Sequence, residues 1–260
     1  MRKTINAIAA IAMRDLIKLL RDRPRLFISL IFPLLFVGIL GTSLNSNLSA
    51  DVGYSFLIFV FTGVIGQNLF QSTAAGIISL VEDRQNDFSQ AMFIAPVSRL
   101  AIILGKILGE SMVAVVQLLG IGIMGIVFQI PFNAGQLLGF LPAIILVCLV
   151  GGSFGLLVMS NLSSQKQVNQ IFPLLIFPQF FLAGVFSPIK NLPIFLLILS
   201  RISPMTYAVD LIRSIYYWGK PEYGKVVLHN PSINLLVLGI MFLMMFTTGT
   251  YMFVKNERNR

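Results

Sequence analysis

The chain alternates between long uncharged runs and short polar breaks. Uncharged stretches occupy 26–44, 52–81, 111–165, 167–189 and 230–254. A helix needs about 20 apolar residues to cross a bilayer. The 111–165 stretch is long enough for two crossings, and its break falls at Pro131-Phe132-Asn133-Ala134-Gly135, a turn-forming sequence. The pattern therefore predicts six spans, at about 26–44, 54–81, 101–129, 137–160, 168–189 and 232–254. Two shorter patterns flank them. Over 5–20, Ile8, Ile11, Ala12, Leu16, Leu19 and Leu20 recur at three- and four-residue spacing, with Arg14, Asp15, Lys18, Arg21 and Asp22 between them. That is an amphipathic helix, and a basic one beside a span lies along the membrane surface. Between the fifth and sixth spans, 192–200 and 206–218 read as short re-entrant or interfacial helices.

Composition agrees. Of 260 residues, 56% are hydrophobic and only 11% charged, too few for a water-soluble surface. The expected fold is an all-α integral membrane protein, with 1–25 a surface helix and 26–260 one six-span domain. A cleaved leader fits poorly, because about 25 charged and amphipathic residues precede the first apolar run. The net charge of +9 would suggest nucleic acid in a soluble protein. Here it sets orientation. With both termini cytoplasmic, 14 of the 19 Lys and Arg residues fall on the inner side.

Candidate chemistry is sparse. One cysteine, Cys148, and one histidine, His229, leave no metal-ligand cluster and no nucleophile–base set to find in the sequence. Gly219-Lys220-Pro221-Glu222-Tyr223-Gly224-Lys225 matches the start of a phosphate-binding loop, but Val226 stands where Ser or Thr is required, and no strand precedes it. No catalytic site is expected. Lys106 and Glu110 fall at i, i+4 inside the third span and are expected to pair. Gln67, Asn68 and Gln71 in the second span either bind helices together or line a polar path. Tyr216, Tyr217 and Trp218 read as an interfacial belt. The polar loop Glu82-Asp83-Arg84-Gln85-Asn86-Asp87 precedes Phe88 and Met92, which share one face of a short helix. That loop either docks a partner or simply joins two spans.

Four segments in order carry a family resemblance. They are Arg21-Asp22-Arg23-Pro24-Arg25 before Phe32-Pro33; Leu80-Val81-Glu82-Asp83-Arg84 before Ala95-Pro96-Val97-Ser98-Arg99; Leu104-Gly105-Lys106-Ile107-Leu108-Gly109; and Ile202-Ser203-Pro204-Met205-Thr206-Tyr207-Ala208-Val209-Asp210. Together they resemble the membrane subunits of type 2 ATP-binding-cassette exporters, the daunorubicin-resistance-like permeases. The resemblance implies a multi-pass protein of a prokaryotic plasma membrane, without its own ATPase site. It implies pairing with a second permease copy or homologue, and docking of two separate ATPase subunits that hold ATP and Mg. It implies that 82–96 is a coupling helix, with Glu82, Asp83, Arg84, Phe88, Met92, Pro96 and Arg99 as coupling residues. It also implies a connecting helix marked by Arg14, Lys18, Arg21 and Arg23. The cargo implied is an amphiphilic, drug-like or lipid-linked molecule; polysaccharide or glycolipid export by the same fold is the alternative. An ion-coupled secondary transporter is the rival of another class, but it would show an internal repeat and broken midplane helices.

Overall fold

A computed structural model describes residues 2–78, 80–81, 98–162, 164–189 and 192–258. All its elements are helical. Helix α1 spans Arg2–Arg21 and α2 spans Arg23–Leu35; a π turn, Phe36–Gly41, then leads into α3, Thr42–Val52. Next come α4 (Phe56–Ile78), α5 (Arg99–Val127), α6 (Ala134–Met159) and α7 (Gln165–Leu182). The chain closes with α8 (Ile194–Ile202), α9 (Pro204–Tyr216), the single turn α10 (Tyr223–Val226) and α11 (Pro231–Arg258).

The first span is the α2–π–α3 rod. Pro33 lacks the N–H that would bond to Ser29, and the π turn follows within one turn of it. The rod ends at Gly53, whose φ of 70° is left-handed and whose N–H returns to the Ser49 carbonyl at 3.1 Å. Helix α6 starts with a reciprocal cap: Asn133 Oδ1 accepts from Gln136 N at 2.7 Å, and Gln136 Oε1 accepts from Asn133 N at 2.9 Å.

Helix α4 is the axis of the molecule. It packs against α5, α6, α7, α9 and the π turn, and is buried on nearly every side. Close approach needs missing side chains. A Cβ on Gly151 would stand 2.4 Å from the Phe70 carbonyl oxygen, and one on Gly155 would stand 2.4 Å from that of Ala74. The α6 backbone thus rests directly on α4. Gly66 does the same for α9, with Val209 Cα 2.8 Å from the Cβ it lacks. This is small-residue helix packing, the means by which membrane helices associate without a hydrophobic driving force between them.

Both chain ends lie at one end of the bundle. Helix α1 lies against the first half of α5, and Arg99 at the start of α5 donates to the Val254 carbonyl near the end of α11 at 3.3 Å. Helix α1 has three faces. Ala12, Asp15 and Leu19 are buried. Ile5, Met13, Ile17 and Leu20 are exposed and apolar, as a membrane-facing stripe would be. Lys18 and Arg21 are exposed beside the half-buried Arg14.

Among the described residues, five helices are long and apolar enough to cross a membrane, with a sixth if α8 and α9, bent by 83° at Ser203, count as one span. Helix α7, expected as the fifth span over 168–189, is not among the five. It begins at Gln165 and ends at Leu182, where Gly184, with φ 67°, turns the chain. Gln165, Lys166, Gln167, Asn169 and Gln170 make its first turns polar. Helix α9, expected as a short re-entrant or interfacial helix, is bent sharply from α8 and is buried over nearly its whole length, Asp210 and Arg213 included. Of the aromatic belt, Tyr216 and Tyr217 are buried and Trp218 alone is exposed.

The α4–α6 contact yields a measurable expectation. Gly151→Val or Gly155→Val should destabilise the detergent-solubilised protein by about 1–3 kcal/mol, the usual cost of overpacking. Gly122→Ala, where an added methyl would meet nothing within 4 Å, should not lower the melting temperature and should raise it slightly, since alanine favours a helix over glycine.

Candidate functional site

A cleft of about 730 Å³ opens between α2, α4, α5 and α7. Its position follows from the helical period. On α4, Gln67, Gln71 and Ala75 recur every four residues, with Asn68 and Ser72 beside them, so one face of an otherwise apolar helix is polar. Gln117 of α5 completes this polar floor. Gln67 Nε2 donates to Gln71 Oε1 at 2.7 Å. Asn68 Oδ1 and Gln117 Oε1 are buried without a hydrogen-bond partner. The walls are aromatic. Phe32 of α2 and Phe180 of α7 have ring centroids 6.4 Å apart, and Phe177 and Phe180 5.7 Å. Asp22 and Pro24 lie at the mouth. Such an arrangement accommodates a guest with an apolar body and a polar end. The residues singled out in the second span, Gln67, Asn68 and Gln71, therefore come together in one cleft. Gln117 was missed, although it continues the stripe of Lys106, Glu110 and Val113 along α5.

At the α1 end, Lys106 is enclosed. Its Nζ lies 3.1 Å from Glu110 Oε1 and 3.0 Å from Asp15 Oδ2, all three side chains at most 4% exposed. Asp15 is a correction to the sequence reading, which grouped it with the polar face of α1. It follows Ile8 and Ala12 and precedes Leu19 at spacings of four, three and four, so it sits on the buried stripe. Gly105 and Gly109 bring α1 close: a Cβ on Gly109 would stand 2.9 Å from Ala12 Cα. Gly76 of α4 supplies the space that the Glu110 carboxylate occupies. One charge cluster thus ties α1 to α5, with its Glu110 carboxylate packed against α4.

Arg14, Lys18 and Arg21 line a shallow basic recess on α1 that shares Asp22 and Pro24 with the mouth of the cleft. Arg23 begins α2 and is exposed. Glu82, Asp83, Arg84, Phe88, Met92 and Pro96 fall outside the described residues. Arg99 is in the first turn of α5, after Ser98, whose hydroxyl accepts from Ala101 N at 3.3 Å.

The opposite end is closed by α8 and α9. Arg213 is buried, donates to the Phe59 and Val185 carbonyls at 3.1 and 3.2 Å, and stands 3.6 Å over the Phe59 ring. Asp210 accepts from Leu228 N, His229 N and Asn234 Nδ2 at 2.8, 2.9 and 2.8 Å. These bonds fix the entry to α11. His229 is 3.6 Å from Asp210 and stacks on Tyr207. In the connecting turn, Lys220 lies 3.6 Å over the Tyr216 ring, and this burial lowers its pKa against the opposing pull of Glu222.

The charge cluster makes a graded prediction. Lys106→Met removes the cation that two buried carboxylates share and should cost about 3–5 kcal/mol, the usual penalty for breaking a buried pair. Asp15→Asn should cost less, because Glu110 stays beside the ammonium. The Asp15→Asn/Lys106→Met double variant should recover part of the loss, as read from thermal unfolding in detergent.

Comparison with known proteins identifies the framework. The family model for the ABC-2 type transporter matches residues 6–217. YbhR of Escherichia coli K12, a multidrug ABC transporter permease by name, is 31% identical over 142 residues, which are 54% of this chain and 38% of that protein. The chain therefore matches less than half of that relative's length. The ycf38 protein of Cyanophora paradoxa, a transport permease by name, is 24% identical over 76% of this chain and 70% of its own length. Nodulation protein J of Rhizobium leguminosarum bv. trifolii is 26% identical over 70% of each. A family match covering most of the chain, on a helical bundle with five to six candidate spans, places this protein in the ABC-2 type transporter family as a multi-pass membrane permease component.

Proposed function

We propose that this chain is the membrane half of an ATP-driven exporter in a prokaryotic plasma membrane. It works beside a second permease copy or homologue and two separate ATPase subunits, which hold ATP and Mg. The observation that carries this reading is the polar-floored, aromatic-walled cleft running from Asp22 at the α1 end to Gln67 and Gln117 within the bundle. A guest entering beside α1 and α2 moves along this face of α4 towards the cap formed by α8 and α9. The multidrug name of the E. coli relative supports an amphiphilic cargo.

In this reading, Glu82, Asp83, Arg84, Phe88, Met92, Pro96 and Arg99 form the coupling surface for the ATPase, and Arg14, Lys18, Arg21 and Arg23 mark the connecting helix. The Asp15–Lys106–Glu110 cluster then has a mechanical part. Movement imposed on α1 reaches α5 through the charges they share, and α4 through the Glu110 carboxylate packed against Gly76. Lys106 and Glu110 pair with each other away from the residues lining the cleft, which favours this role over ion-coupled transport.

The test begins with affinity purification from native membranes, with and without crosslinking. A stoichiometric cassette ATPase is expected in the eluate; a chain recovered alone under both conditions overturns the proposal. In the reconstituted complex, Glu82→Ala and Phe88→Ala should each reduce transport-coupled ATP hydrolysis by about tenfold or more, as interface anchors do. Unchanged hydrolysis and export would remove these residues from the coupling surface.

A further inference from the structure

We propose that a pocket in the elbow between α8 and α9 holds the phosphate group of a bilayer lipid whose tail lies along α8. The pocket is separate from the cleft and lies at the end of the bundle away from both chain termini. It has a volume of about 260 Å³, where the last turn of α8 meets the first turn of α9 and the segment leading into α11. Arg201, Ser200, Thr206 and His229 are its polar lining, and Leu197 forms part of its apolar wall.

The sign of the guest's charge follows from a group that can only donate. A guanidinium has five N–H donors and no acceptor, and its planar fork matches two phosphate oxygens at once. Arg201 is exposed, and among the described residues its side chain makes no hydrogen bond or ion pair. No Asp or Glu is among the described lining residues. Asp210, 3.6 Å from His229 Nδ1, is buried outside the lining, and its oxygens are taken by Leu228 N, His229 N and Asn234 Nδ2. The hydroxyls of Ser200 and Thr206 lie 3.5 Å apart and serve as donor or acceptor, so Arg201 sets the sign.

The place of the tail follows from the helical period. Ile194, Ile198 and Ile202 recur every four residues along α8 and are exposed. In a membrane protein, such a stripe meets acyl chains. Arg201 flanks this stripe and shares the pocket with Leu197, one turn before it. It therefore stands between the chains and the pocket. An amphiphile with an anionic head satisfies both surfaces together, whereas free phosphate satisfies only the pocket. Snorkelling would bring Arg201 to the headgroup region without a recess beside it. The recess is what makes a site for one headgroup.

The test uses the purified full chain in dodecyl maltoside micelles free of phospholipid. Two probes share one shape, phosphatidic acid and diacylglycerol, each with a photoreactive diazirine in one chain. Labelled residues are read by peptide mass spectrometry. Labelling of Ile194, Ile198 and Ile202 by phosphatidic acid should saturate at concentrations at least about tenfold below those that diacylglycerol needs. Leu119 and Ile126, on the exposed apolar face of α5, should take both probes alike. Arg201→Gln should cut the advantage of phosphatidic acid to about twofold or less, and Arg201→Lys, which keeps the charge without the fork, should retain part of it. Lys220→Gln, which removes a nearby cation outside the pocket, should change nothing. Equal labelling by the two probes, or an advantage that survives Arg201→Gln, overturns the proposal. Loss of the label to an equal concentration of inorganic phosphate makes a free anion the guest and overturns the lipid. An Ile198→Cys variant that crosslinks fully to a second copy gives this face of α8 to that copy and overturns it as well.

Discussion

Helix α4 can be central only because its neighbours lack side chains where they touch it. Gly151 and Gly155 let α6 lie backbone to backbone on it, and Gly66 makes the equivalent space on α4 itself for α9. Lipid tails are as apolar as leucine, so burying Val, Ile and Phe gives these helices little reason to meet. Contact area and close packing must hold them instead. The consequence is functional. A helix gripped this tightly on three sides has one polar face left over, and Gln67, Asn68, Gln71 and Ser72 occupy it beside the cleft.

Two sets of buried charges sit towards opposite ends of this axis and are satisfied differently. Lys106 is paired with Asp15 of α1 and Glu110 of its own helix, so its environment is built from two helices. Arg213 relies on carbonyl oxygens and a ring face, while Asp210 relies largely on backbone N–H groups and one amide. The first arrangement ties separate elements together through charges that would be costly to separate. The second fastens a short, sharply bent pair of helices to the chain that follows it. A molecule that must pass a cargo gains from both: a joint that transmits movement near α1 and a fixed cap near α9.

Much of the architecture was legible in the chain itself. The all-helical membrane class, the position of most spans, the surface helix over 5–20 and the two short helices after Ile189 all follow from run length and period, since a bilayer demands about 20 apolar residues and a closed hydrogen-bond ladder. Helix α7 occupies the fifth predicted run but is less apolar than the other spans. Its uncharged run is long, but an uncharged run is not an apolar one, and Gln and Asn carry the difference. The buried state of α9 was hidden for a related reason. Asp210 and Arg213 look like a solvent face until their partners, Phe59, Val185, Leu228 and Asn234, are brought in from other parts of the chain.

The candidate site divides in the same way. Lys106 and Glu110 could be paired from the sequence because i, i+4 spacing is local geometry, and Gln67, Asn68 and Gln71 could be grouped because one helix carries them. Asp15 could not be assigned to Lys106, nor Gln117 to the α4 amides, because each pairing joins residues on different helices. What the sequence by itself determined was which segments are helices and which side of each is apolar, because both depend on backbone hydrogen bonds and period within a few turns. Only the tertiary structure decided which polar faces met, because helix-to-helix register is set where glycines allow two backbones to touch.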